Sequence, residues 1–135
     1  MYSHILVPVS FDDDRNAEAA IDVAKKLVAT GGKVTLFHVM EQIPRYAVQY
    51  IPDGFHDDAQ KAILVALAEM TSGFEKANSV VVDGHSGRTI LDWAEEHDVD
   101  CVVIASHRPG MQDYFLGSTA SQVVRHAKCA VHVIR

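Results

Sequence analysis

The stretch from Ile104 to Thr119 reads Ile-Ala-Ser-His-Arg-Pro-Gly-Met-Gln-Asp-Tyr-Phe-Leu-Gly-Ser-Thr. An apolar run, Cys101 to Ile104, leads into it, and Ala120, Val123, Val124 and Ala127 leave it at helical spacing. His107 and Arg108 bring hydrogen-bond donors and positive charge to the loop between. Gly117 permits close backbone approach, and Ser118 and Thr119 add hydroxyls. A helix opening here points unpaired N–H groups and partial positive charge outward. A strand, a polar loop and small residues opening a helix is a combination suited to holding an anion, phosphate in particular. The Gly117-Ser118 pair on its own would also suit a plain helix cap.

Other chemistries lack their residues. No G-x-G-x-x-G follows the first strand, and the nearest approach to a P-loop, with Gly110 and Gly117, has the wrong spacing and no lysine. C-x-x-C, H-E-x-x-H and G-x-S-x-G do not occur, which argues against a zinc site or a nucleophile elbow. Ser106 and His107 are neighbours in sequence, but no spacing supplies a carboxylate to orient the histidine, so no catalytic residues are assigned. Asp12, Asp13 and Asp14 suit a helix start; without a second ligand cluster nearby they do not specify a metal. His38, alone inside a strand pattern, is expected to be a packed core residue.

These residues need a scaffold, and the hydrophobic pattern describes one. Ile5 to Val9 reads as a short buried strand. A helix follows with Ala17, Ala20, Ile21, Ala24, Leu27 and Val28 on one face, ended by Gly31-Gly32. Val34 to Met40 is the second strand. Glu41 to Asp58, with Pro44, Pro52, Tyr46, Tyr50 and Phe55, is expected to be an irregular loop or lid folded over the domain edge. Asp57 and Asp58 open a helix with Ile63, Leu67, Met70 and Phe74 inward. Ser79 to Val82 is a strand; Ser86 or Gly87 opens a helix with Ile90, Leu91 and Ala94 inward. Cys101 to Ala105, the loop and helix already described, and a strand from Ala130 to Ile134 complete the chain.

Apolar strands alternating with amphipathic helices predict an α/β fold, a single open five-stranded parallel sheet with helices on both faces. With strand order 3-2-1-4-5 the winding reverses between the first and fourth strands, and ligands bind beyond the strand ends at such a reversal. Ser10 and the His107-Arg108 loop would then share one pocket.

Length and charge narrow the function classes. The 135 residues predict one domain spanning 1–135. A net charge of −6 argues against a broad nucleic-acid or anionic-membrane surface, while leaving a small anionic ligand open. No apolar run is long enough to span a bilayer, and Met1 to Pro8 has neither the basic start nor the cleavage site of a signal peptide. Cys101 and Cys129 are expected to be buried free thiols in a reducing, cytoplasmic compartment.

The chain resembles the universal stress protein family, and most closely its F-type branch. The resemblance rests on Ile-Leu-Val-Pro-Val at the start, His38-Val39, Val-Val-Ile-Ala-Ser-His-Arg-Pro, Leu-Gly-Ser-Thr, and the ending Val-Val-Arg-His-Ala-Lys-Cys-Ala-Val-His-Val-Ile-Arg. It implies a Rossmann-like, adenine nucleotide alpha hydrolase-like fold and a homodimer through the last strand, Ala130 to Ile134. It implies a cytoplasmic stress-response protein that binds ATP, with or without Mg²⁺, and is not an efficient enzyme. Adenine and ribose would lie at Pro8, Val9, Ser10 and Val39, and the phosphates at Ala105, Ser106, His107, Arg108, Gly117, Ser118 and Thr119. Three features depart from the family pattern. Ser10 replaces an aspartate, Ala105 replaces the first loop glycine, and Arg108 or Pro109 falls near the second in a loop one residue shorter. A dimeric interaction protein that has lost the ligand is the competing account, and a slow ATP hydrolase a third.

Overall fold

The computed structural model describes residues 1–11, 17–41, 43–106 and 116–135. Its strands are β1 (Tyr2–Pro8), β2 (Val28–Met40), β3 (Ala77–Asp83), β4 (Cys101–Ala105) and β5 (Ala130–Ile134). Its helices are α1 (Ala17–Leu27), α2 (Arg45–Val48), α3 (Phe55–Met70), α4 (Ser86–Glu96) and α5 (Ser118–His126). The strands form one sheet in the order β3-β2-β1-β4-β5, every pairing parallel, as predicted.

The apolar strand runs are buried because the sheet is covered on both faces. Alternate side chains enter two cores. Ile5, Val7, Val34, Leu36, Cys101 and Val103 pack with Ala20, Ile21 and Ala24 of α1 and Leu67 of α3. Leu6, Phe37, Val102 and Ile104 pack with Ile90 and Ala94 of α4 and Ala120 and Val123 of α5. β1 is central, so Ile5, Leu6 and Val7 are wholly buried.

Several boundaries differ from the sequence expectation. α1 stops at Leu27, and Gly31-Gly32 lie inside the long β2. Val28 pairs with Tyr2, then the register slips, and Lys33 pairs with His4. Gly31 turns this irregularity with φ 81°, and Gly32 passes so close that a Cβ would stand 2.9 Å from the Tyr2 carbonyl oxygen. The two glycines therefore shape a bulge and do not cap the helix.

The stretch after β2 is less irregular than expected, holding α2 and the first turn of α3. The latter opens at Phe55 after a left-handed Gly54, two residues before Asp57. It does not fold its aromatics over the domain: Tyr46 and Tyr50 are each 79% exposed. Phe74 packs on the core from beyond the end of α3. Val124 of α5 is exposed, leaving Ala120 and Val123 as that helix's buried residues. Both cysteines are free, but Cys129 is only half-buried. Burial pushes the Cys101 thiol up to about 11 and raises that of Cys129 as well, which leaves both weakly reactive. Asp12, Asp13 and Asp14 lie outside the described residues. No helix among those described is long and apolar enough to cross a membrane.

Candidate functional site

Because every strand is parallel, the C-terminal ends of β1, β2 and β4 meet on one side of the sheet, and the winding reverses between β1 and β4. A cavity of about 430 Å³ lies there. Of the residues expected at a nucleotide site, Pro8, Val9, Ser10, Val39, Ala105 and Thr119 line it. The predicted approach of the β1 and β4 ends is thus present.

The remaining expected residues divide into two groups. Ser106 is 1% exposed, and its backbone is bonded on both sides. Its N–H donates to the Ile134 carbonyl at 2.8 Å, and its carbonyl accepts from the Gly117 N–H at 2.6 Å. Gly117 is extended (φ −61°, ψ 160°) at the cap position of α5, and Ser118 is the first helical residue. Neither lines the cavity as Thr119 does, so this pair closes the loop onto β4 and opens the helix beside the cavity. His107 and Arg108, like Pro109 and Gly110, lie outside the described residues.

Phe11, His38, Glu41 and Ser86 also line the cavity, although none of them was expected at the site. His38 is half-buried at the cavity, not packed in a core. Its Nδ1 lies 2.7 Å from the Val9 carbonyl oxygen, so Nδ1 carries the proton and donates. The Phe11 ring meets it edge-on, with centroids 5.1 Å apart. Position at a strand end next to Val39 was the available signal. Glu41, just past β2, accepts hydrogen bonds from the Ser86 N–H at 3.2 Å and from the Ser86 hydroxyl. Of the described residues between 41 and 58, Glu41 is the one that reaches the cavity.

Beside this rim, the His56 Nε2 lies 2.8 Å from Asp83 Oδ1, tying the start of α3 to the end of β3. The hydrogen bond and charge of Asp83 raise the His56 pKa above its ordinary value. Among the described residues no group of three or more His, Cys, Asp or Glu side chains is placed to hold a metal ion.

The lining is chemically mixed: apolar walls from Val9, Val39 and Ile104, and polar groups from Ser10, Ser86 and Thr119. Its volume is in the range of small-ligand sites.

The universal stress protein family profile matches residues 1–135, the whole chain. The chain belongs to the universal stress protein family. One curated relative, universal stress protein G of Salmonella typhimurium, is 29% identical over 142 residues, covering 100% of both chains. The solved structure of the family member UspA from Lactobacillus plantarum is 26% identical, with TM-score 0.72, covering 99% of this chain and 98% of that one. A family member from Archaeoglobus fulgidus in complex with dAMP matches with TM-score 0.70 at 21% identity, covering 99% and 98%. One from Arabidopsis thaliana with AMP bound matches with TM-score 0.65 at 17% identity, covering 98% and 90%. The last two speak for the Rossmann-like fold.

Proposed function

We propose that this universal stress protein is a single-domain, cytoplasmic stress-response protein that binds an adenine nucleotide in the cavity beyond β1, β2 and β4. The observation that carries the reading is the convergence of Pro8, Val9, Ser10, Val39, Ala105 and Thr119 on one 430 Å³ space at the winding reversal. Relatives of the same fold crystallised with dAMP and AMP support adenine as the base. Apolar walls suit a flat base, and the start of α5 suits a phosphate group. ATP is the ligand proposed, with Mg²⁺ as a companion of the phosphates and not a resident of a protein cage. His107 and Arg108 are proposed to meet the phosphates from the loop that Ser118 and Thr119 close. Catalysis is not part of the proposal; the protein acts by binding, as a homodimer joined through β5.

Calorimetric titration of ATP into the purified protein, with Arg108→Ala and Ser118→Ala variants, tests the reading. Saturable binding weakened about tenfold by the arginine change is expected, from loss of a charge-assisted contact. No saturable heat at millimolar nucleotide overturns it. The competing account, a dimeric interaction protein without a ligand, draws on Ala105 and Ser10, which place a methyl and an uncharged hydroxyl where the family pattern has glycine and aspartate. The same titration decides between the two.

A further inference from the structure

Two helix starts border the cavity, and they are not equivalent. Ser86 lines it from the first residue of α4, and Thr119 from the first turn of α5. Each helix start presents unpaired N–H groups and favours an anion. At α4 that role is already taken by the chain itself. Glu41 Oε1 accepts from both the backbone N–H and the hydroxyl of Ser86, while His85, at the cap position, makes no side-chain cap bond. Among the described lining residues Glu41 is the single carboxylate. Among the described residues the carboxylate of the lining therefore lies at α4, and the start of α5 bears none and suits a phosphate.

We infer that Glu41 is a specificity-determining residue that gives the nucleotide its direction and rejects nucleotides phosphorylated at both ends of the sugar. The inference rests on the nucleotide reading given above. A phosphate at the α4 end would face the carboxylate and compete with it for the Ser86 N–H. A hydroxyl or amine there would instead donate to it, since an ionised carboxylate only accepts. The favoured ligand class is an adenine nucleotide with its phosphates at the 5′ position and free ribose hydroxyls. A nucleoside 3′,5′-bisphosphate is the disfavoured one. Glu41 is exposed, so solvent screens its charge and the discrimination expected is about tenfold, not thousands.

The test is calorimetric titration of 5′-AMP and of adenosine 3′,5′-bisphosphate into the wild-type protein, Glu41→Gln and Ser86→Ala, with thermal melting to confirm that each variant folds. Glutamine keeps an oxygen for Ser86 and removes the charge. The wild-type protein is expected to prefer AMP by about tenfold, and Glu41→Gln to bring the two ligands within about threefold by gaining the bisphosphate. Ser86→Ala, which leaves the charge in place, is expected to keep the wild-type preference. A wild-type protein that takes both ligands equally, or a Glu41→Gln protein that retains the preference, overturns the inference while leaving the nucleotide reading intact. Failure of the wild-type protein to bind either nucleotide overturns the inference, and the ATP titration above decides the nucleotide reading separately.

Discussion

His4 sits near the end of β1 opposite the cavity, 5% exposed yet fully engaged. Its Nδ1 lies 3.1 Å from the His97 carbonyl oxygen and its Nε2 2.9 Å from the Thr35 hydroxyl oxygen. Burial is the main cause that lowers its pKa below the ordinary 6.5, opposed by the His97 carbonyl and Asp100 and assisted by Lys33 and the His97 ring. The folded protein thus binds fewer protons at this ring than the unfolded chain, so its contribution to stability is full above pH 6.5 and is lost as pH falls through the folded-state value. Urea unfolding between about pH 7.5 and about pH 5 is expected to show a falling midpoint, with a shallower fall in His4→Gln. An equal slope in the variant would count against this role. At this scale sequence says least about pairing. His4 reads as one more polar residue before an apolar run, and its partner Thr35 lies 31 positions away. Glu41 and Ser86 are 45 positions apart, and only the meeting of β2 with the start of α4 brings them to one rim.

Strands and helices were far more legible, for a physical reason. A strand buried on both faces must be apolar along its length, and β1 and β4 announce themselves as Ile-Leu-Val and Cys-Val-Val-Ile. The helices α4 and α5 keep their inward residues at three- and four-residue spacing. Glycine was the ambiguous signal, because a left-handed turn serves a helix end and a bulge equally well. The bulge makes opposite demands on its two glycines. Gly31→Ala meets open space but must adopt a positive φ, at about 1–2 kcal/mol. Gly32→Ala would press on the Tyr2 carbonyl and the Val28 side chain, each 2.9 Å from the new Cβ, at about 1–3 kcal/mol. Chemical denaturation of both variants checks these costs; a Gly32→Ala protein as stable as the parent would mean that the β1–β2 register can shift at no cost. The short α2 escaped the pattern because it has no buried residue, and without an inward face there is no period to read.

The order of the whole sheet places β3 and β5 at its edges. β5 alternates half-buried Val131, Val133 and Ile134 with exposed Ala130 and His132, and among the described residues no further strand pairs with its outer edge, the kind of edge that recruits another strand. Light scattering at micromolar concentration is expected to give twice the chain mass, and Val133→Pro, which removes an N–H and fixes φ at that edge, to shift it toward the monomer. A monomeric wild-type mass would sink the dimer. The parallel arrangement also separates the two chain ends. β1 begins on the side of the sheet away from the cavity, whereas β5 finishes on the cavity side, where the Ile134 carbonyl holds the Ser106 N–H. Anything fused or tethered after Arg135 therefore emerges on the cavity side of the sheet, next to the strand whose Ile134 carbonyl holds the Ser106 N–H. The same attachment made ahead of Met1 emerges on the opposite side and leaves the cavity side of the sheet clear.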